Sequence, residues 1–494
     1  MILRAFQRRR ANPGVQLPAH KDYGELPRAE NATVPERLTI SLQQSIGPAS
    51  LPVVRPGERV LKGQKIAEPP KNAPGSYLHA PTSGEVTTVE KGVAIDIRAD
   101  GKDELHPDCL PIEQPLSLPP ADMRKRIAEA GIVGLGGAMF PTALKLNPGP
   151  GVSTLIVNGV ECEPYINCDN QLMQDDAHAV LRGTQLMLHM LGASEALLAI
   201  KQNHIAARNK LTAALDTLGD PRIRLVVVDD IYPAGGERQL IETISGRQVP
   251  ANGLPADIGI VCQNVATAAA IDHYCNTGEP LIRRLVTIAG NTVQKPKNMW
   301  VRIGTPVNRL FESVPVRIIA GGPMMGQPLS SLSSPVTKAH NCLIADDPVA
   351  ADSLQNVTNT LPCIRCGDCV NVCPAGLSPQ LLHAAGRHGD IKQIEALGAL
   401  ECIECGACDY VCPSAIKLSA EFRNDKHAIW EQHLLAMRAK RSELRFAAHE
   451  VRRNQEDQTE AEQLDAQTAT FHDAKDDSKA ALDDLLKRIG ADNK

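Results

Sequence analysis

Eight cysteines between residues 363 and 412 stand at spacings that carry chemistry. The first run reads Cys363-Ile-Arg-Cys366-Gly-Asp-Cys369-Val-Asn-Val-Cys373-Pro374, the second Cys402-Ile-Glu-Cys405-Gly-Ala-Cys408-Asp-Tyr-Val-Cys412-Pro413. Each is a C-x₂-C-x₂-C-x₃-C-P run, the spacing that wraps three thiolates around one face of a [4Fe–4S] cube. Where a chain carries two such runs, the fourth thiolate of each cube comes from the other run. The expected ligand sets are therefore Cys363, Cys366, Cys369 and Cys412 for one cluster, and Cys402, Cys405, Cys408 and Cys373 for the other. Zinc sites use paired C-x₂-C units, with no use for a third cysteine in phase or a trailing Cys-Pro. Gly367 and Gly406 keep the loops small where amides approach sulfide, and Pro374 and Pro413 end them. The pattern belongs to a chain that moves electrons.

A second set of residues suits a nucleotide-like cofactor. Gly131-Ile-Val-Gly134-Leu-Gly136-Gly137-Ala-Met139-Phe140-Pro-Thr142-Ala-Leu-Lys145 is a glycine-rich loop running into a lysine. Near it stand Asn158-Gly-Val-Glu161-Cys-Glu163-Pro, Tyr232-Pro-Ala-Gly-Gly-Glu237 and Gln263-Asn264-Val-Ala-Thr267. Glycine lets the backbone lie flat against a ring or a phosphate, and Lys145 offsets phosphate charge. Asn and acidic side chains bond ribityl or ribose hydroxyls and ring nitrogens. Residue types alone suit flavin mononucleotide (FMN) or another nucleotide.

Alternating strands and helices must position these groups. Apolar strand patterns at Thr154-Leu-Ile-Val, Ala196-Leu-Leu-Ala-Ile and Arg224-Leu-Val-Val-Val flank helical patterns at 175–191 and 205–218. Such alternation predicts a doubly wound parallel sheet with ligand groups beyond the carboxyl ends of its strands. Ahead of it, short β-type runs broken by Pro56-Gly57, Lys62-Gly63 and Ser83-Gly84 resemble the barrel-sandwich hybrid of biotinyl and lipoyl carriers. Lys71, between Pro70 and Asn72, does not match a carrier's acceptor lysine, so a structural sandwich is expected.

The expected fold is a multidomain α/β protein with β modules. Residues 1–36 are an extended N-terminal segment, 37–100 the barrel-sandwich hybrid, and 120–280 a Rossmann-like parallel α/β domain for the nucleotide-like cofactor. Residues 283–330 are a β-grasp (SLBB-like) module, 352–425 a two-[4Fe–4S] ferredoxin-like helical domain, and 440–494 a charged helical or disordered tail. A length of 494 residues has room for roughly three to four such domains.

Composition bounds the rest. The chain is 43% hydrophobic and 22% charged, ordinary for a soluble globular protein, and 3% aromatic, so its cores rest on aliphatic packing. A net charge of −5 gives no general attraction to nucleic acid. Cys109, Cys162, Cys168, Cys262, Cys275 and Cys342 are scattered without a disulfide framework, which points to a reducing compartment. Cys162 and Cys168 are expected as buried thiols, and His20, His79 and His273 as surface or core polar residues. The start has no signal-type apolar region, and no apolar run approaches the ~20 residues of a membrane span.

The glycine loop, the Asn158–Pro164 stretch and Tyr232–Glu237 resemble the flavin- and NADH-binding subunit of respiratory complex I. With the N-terminal sandwich, the β-grasp module and the two cysteine runs, the order of parts over residues 1 to about 425 resembles the C-subunit family of the Rnf ion-translocating electron transport complexes. The resemblance implies non-covalent FMN held by Gly134, Gly136, Gly137, Lys145, Asn158, Glu161 and Asn264. It implies Phe140, Glu163, Tyr232 and Glu237 on the nicotinamide side, NAD(H) as substrate, and electron transfer through the clusters toward ferredoxin. It further implies other members of the complex as partners and a peripheral place on the cytoplasmic face of the bacterial inner membrane. Met139 stands where the complex I motif has glycine, and Gln263 and Ala266 depart from its Asn-Asn-Val-Glu-Thr pattern. Two alternatives remain at this level: a soluble FMN and iron–sulfur cobalamin reductase, and a scaffold that passes electrons through clusters alone.

Overall fold

The computed structural model describes residues 2–4, 13–21, 27–313, 315–347 and 360–491. The expected start of the cluster domain at residue 352 lies outside them. The chain divides into two compact units, Met1–Arg423 and Asn424–Lys494.

The first unit is built around a parallel sheet. Its strands are β1 (Thr154–Gly159), β2 (Glu195–Lys201), β3 (Ile223–Val228) and β4 (Ile260–Asn264). They lie in the order β3-β2-β1-β4, and Ile2–Arg4 adds a parallel strand beside β3. Near-continuous apolar sequence suits strands covered on both faces, and Leu155, Ile156 and Val157 of β1 are fully buried. The helices are α1 (Pro120–Glu129), α2 (Thr142–Lys145), α3 (Cys168–Asp175), α4 (Ala177–Leu191), α5 (Ile205–Leu218), α6 (Glu237–Ser245) and α7 (Val265–Thr277). Gly183 sets the approach of α4 to α7, since a Cβ there would run into the Ala268 carbonyl oxygen. The core between them is Val180, Leu181, Met187, Leu188, Val265 and Ile271, aliphatic as the composition requires.

The strand order reverses at β1, with β2 and β3 on one side and β4 on the other. A crevice opens outside the carboxyl ends of strands at such a switch point. Register sets Asn158 of β1 opposite Asn264 of β4, so the two asparagines end their strands together there.

Two β modules flank this domain. Strands Arg37–Ser41, Ala94–Ala99, Gly84–Glu90 and Arg59–Val60 form one sheet, and Leu51–Pro52, Lys65–Glu68 and Leu78–His79 another. Both close over Leu38, Ile40, Val60, Ile66, Val86, Ile95 and Ile97. Lys71 is exposed on the turn between Lys65–Glu68 and Leu78–His79. The other module is a six-stranded mixed sheet centred on Arg283–Ala289. It reaches beyond the expected residue 330 to include Cys342–Asp346, and takes Glu30–Asn31 as an edge strand. The N-terminal segment, expected only as extended, thus supplies edge strands to two sheets.

The modules meet at Lys338, which is 1% exposed. Its ammonium donates to the Ser76 hydroxyl at 2.8 Å, the Tyr77 carbonyl at 3.0 Å and the Gly131 carbonyl at 2.7 Å. Burial pushes its pKa down to about 7. After the mixed sheet come the short helices Asp368–Asn371, Pro379–Arg387, Ile391–Ala396 and Ala407–Tyr410, then the start of helix Leu418–Ala491. From Asn424 that helix constitutes the second unit, with charged and polar side chains exposed along residues 440–488. No helix among the described residues is long and apolar enough to cross a membrane.

Candidate functional site

The glycine loop joins α1 to α2 as a tight hairpin. Gly134 N–H donates to the Phe140 carbonyl at 2.9 Å and Met139 N–H to the Gly134 carbonyl at 3.2 Å. Leu135, buried, is anchored twice: its N–H donates to the Thr267 hydroxyl at 3.0 Å, and its carbonyl accepts from the buried Arg284 guanidinium at 3.1 Å. Gly136, Gly137 and Ala138 are exposed, and their amides have no hydrogen-bond acceptor among the described residues. Gly137 has φ +104° with open space where a Cβ would project, and a Cβ at Gly136 would meet the Asn264 side chain at 3.4 Å. This is an open cradle of unpaired donors at the switch point, suited to a phosphate or a flat ring. Met139 takes φ +50°, the left-handed region that favours glycine, and holds it through its carbonyl, which accepts from Ile46 N–H at 3.2 Å. Phe140 is 37% exposed beside the cradle.

The strand ends are cross-braced. Asn158 donates to the Gly235 carbonyl at 2.8 Å and accepts from Val160 N–H at 2.9 Å. Asn264 caps α7 by accepting from Ala266 N–H at 2.8 Å, and donates to the Asp169 carboxylate at 2.6 Å. Glu161 is 7% exposed and accepts the Asp169 amide at 2.9 Å, at the amino end of α3. Burial and the neighbouring Glu161 carboxylate raise the pKa of Asp169. Most described side-chain contacts of Glu161 and Asn264 are therefore helix-end contacts that shape the crevice wall, with Lys21 4.0 Å from the Glu161 carboxylate.

Lys145, ending α2, pairs with Glu237, the first residue of α6. Both are partly exposed, so a charged ligand group can reach them. Glu163 turns away from this mouth. Its carboxylate accepts the amides of Met324 at 3.2 Å and Met325 at 3.0 Å, in a loop of the mixed-sheet module. Burial pushes its pKa up to about 7. Tyr232 is 2% exposed, pairs through its backbone with Val15, and donates its hydroxyl to the Cys405 carbonyl at 2.6 Å. Cys168 is buried and Cys162 half-buried behind these groups. His20 stacks on Tyr165 with centroids 4.8 Å apart, His79 is half-buried, and His273 bonds Glu279 at 3.2 Å.

The cysteine runs fold into two cavities. One, with about 360 Å³ of space partly open to solvent, is lined by Cys363, Cys366, Cys369 and Cys412. The other, about 350 Å³, is lined by Cys373, Cys402, Cys405 and Cys408. Each takes three thiols from one run and the fourth from the other, and all eight cysteines are free of disulfides. The runs fold alike: Arg365 and Glu404 take φ +58° and +57°, and Gly367 and Gly406 take φ +88° and +72°. Burial pushes the Cys405 thiol up to about 12 and raises Cys408 as well. Thiols so placed ionise only against strong positive charge, which iron supplies. Both donor sets fit an iron–sulfur cluster, and the cradle fits FMN.

Asp169, Lys21, Arg284 and the Met324–Met325 loop were invisible to motif reading. Lys21 reaches the Glu161 carbonyl at 2.8 Å from a segment with no sequence signal beyond its polarity. The apolar stretch around Arg284 reads only as strand, and no spacing rule links it to the loop it supports.

A parallel sheet with an open glycine cradle at its switch point, joined to paired tetracysteine cavities, defines an oxidoreductase component of the flavin and iron–sulfur class. Comparison with known proteins agrees. Residues 127–273 match the Nuo51 FMN-binding domain, residues 10–100 the RnfC barrel sandwich hybrid domain, and residues 355–413 a 4Fe-4S dicluster domain. The C subunit of the ion-translocating oxidoreductase complex of Pseudomonas aeruginosa is 43% identical over 91% of this chain and 59% of its own length. Its counterpart from Rhodobacter capsulatus is 38% identical over 78% of this chain and 77% of its own. That of Yersinia enterocolitica is 41% identical over 86% and 62%. The chain belongs to the family of ion-translocating oxidoreductase complex C subunits. It spans about three-fifths of the length of the Pseudomonas and Yersinia relatives.

Proposed function

We propose that the chain binds FMN and NAD(H) and passes electrons between the nicotinamide and, through two [4Fe–4S] clusters, the other subunits of a membrane-bound ion-translocating complex that exchanges with ferredoxin. Its place is peripheral, on the cytoplasmic face of a bacterial inner membrane. Bound FMN supplies the conversion between two-electron exchange with nicotinamide and one-electron exchange with clusters.

In this reading the amides of Gly136 and Gly137, with Gly134 shaping the turn, cradle FMN, and Lys145 pairs with its phosphate. Asn158, Glu161 and Asn264 set the crevice wall against which the ring system lies. Phe140 and Glu237 bound the nicotinamide side, with Glu163 and Tyr232 behind them, bonded to the Met324–Met325 loop and to Cys405. Cys363, Cys366, Cys369 and Cys412 hold one cluster, and Cys373, Cys402, Cys405 and Cys408 the other.

The observation that carries the proposal is that the domain holding the cradle also bears on the cysteine runs. The Cys405 cavity lies against the α/β domain through Tyr232 and through Arg238, which pairs with Glu401 at 2.9 Å. The other cavity opens outward: Cys363 and Cys366 are exposed, with Leu361 and Ile364 exposed beside them. Electrons would pass from the crevice to the inner cluster, then the outer one, then a partner protein. The test is anaerobic reconstitution with iron, sulfide and FMN, followed by flavin and iron analysis and EPR of the dithionite-reduced protein. One FMN per chain with two cluster signals supports the reading, whereas zinc in place of iron, or a single cluster, overturns it.

A further inference from the structure

Tyr232 and Cys405 are joined by a hydrogen bond that the flavin motif alone does not call for. The hydroxyl donates to the backbone carbonyl of a cluster-lining cysteine at 2.6 Å across 173 residues of sequence. The contact is enclosed. Val15, Cys162, Met324, Ala407 and Val411 pack around Tyr232 and Cys405. The other side of the same cysteine loop is held too: a Cβ on Gly406 would stand 3.1 Å from the Met324 carbonyl oxygen, and Met324 is fixed by the Glu163 carboxylate on its amide. The Cys405–Gly406 loop is thus clamped between the α/β domain and the mixed-sheet module, and Glu163 and Tyr232 are the side chains that clamp it. No comparable contact from either module reaches Cys363, Cys366, Cys369 or Cys412 among the described residues.

We propose that Tyr232 is a positioning and tuning residue for the inner cluster, raising its reduction potential above the value the cysteine loop alone would give. The proposal rests on the reading of Cys373, Cys402, Cys405 and Cys408 as ligands of one cluster. A carbonyl oxygen is the negative end of a dipole, and reduction adds an electron to a cluster that is already anionic. Drawing the Cys405 carbonyl's charge toward the Tyr232 proton lessens that repulsion and favours the reduced form, as hydrogen bonds and burial do around cluster ligands generally. No bond is made or broken. The hydroxyl keeps its proton, and burial raises its pKa well above the usual tyrosine value.

The test is an anaerobic redox titration of the full chain, reconstituted with clusters, followed by EPR. Tyr232→Phe removes one oxygen from a ring that keeps its packing. The inner-cluster signal, assigned as the one altered by Cys408→Ser, should move to lower potential, by about 59 mV for a tenfold change in its one-electron equilibrium. The outer-cluster signal should stay in place. Tyr410→Phe removes an exposed hydroxyl beside the same run and should move neither. Equal shifts of both signals in Tyr232→Phe would mean a general loosening and overturn the proposal, as would no shift with full cluster content. Loss of both signals in the unsubstituted chain would instead defeat the cluster reading itself.

Discussion

Lys145 and Glu237 form an ion pair between the end of α2 and the first turn of α6. The pair holds a cation at the cradle's mouth while keeping it partly exposed. In the proposed reading a phosphate dianion would meet Lys145 together with the amides of the glycine loop, and would compete with Glu237 for it.

Lys145→Met should therefore weaken FMN binding about 10- to 100-fold, the loss of one charge-assisted hydrogen bond of about 1.5–3 kcal/mol. Glu237→Gln frees Lys145 and should leave FMN affinity equal or higher. Fluorescence titration of the flavin-free protein reads both. An equal loss in the two variants would show that the pair braces the helices rather than serving the ligand.

Glu163 gives a pH signature. Burial raises its pKa from 4.5 to about 7, so between these values the folded chain binds more protons than the unfolded one. Stability must fall as pH rises through that window, with the full penalty present above pH 7. Asp169, also raised by burial, acts in the same direction. Glu163→Gln should gain about 1–3 kcal/mol on the wild type between pH 5 and pH 8. Urea unfolding at the two pH values measures it, and parallel pH profiles for the two proteins would refute the assignment.

Gly183 permits α4 to lie directly on α7, whose cap is Asn264. Gly183→Ala should destabilise the chain by about 1–3 kcal/mol through overpacking. It should also weaken FMN binding by displacing Asn264 from the crevice wall, while cluster content stays intact. A lower melting temperature with unchanged FMN affinity would show that the α4–α7 contact does not set the site.

The cysteine runs could be read from sequence because their ligand spacing is local, and three thiols of each cavity fall within seven residues of chain. Alternation of strand and helix likewise exposed the parallel sheet and placed Asn158 at a strand end. The contacts of the named residues were not legible. Glu161 and Asn264 carry residue types suited to a flavin, yet most of their described hydrogen bonds go to helix ends, because a carboxylate or amide beside an open helix amino terminus finds amides nearby. Tyr232 reaches Cys405 across 173 residues, and only the packed fold brings them together. The N-terminal segment looked merely extended, since Glu30–Asn31 takes its β form from the edge it joins rather than from propensity.

In the proposed path this one chain carries electrons from nicotinamide through flavin to its clusters. Anaerobic titration of the reconstituted chain with NADH, followed by visible absorbance and EPR, tests it most directly. Bleaching of the flavin band and the appearance of reduced-cluster signals are expected at stoichiometric NADH. Cluster signals that appear with dithionite while NADH leaves flavin and clusters unchanged would contradict it.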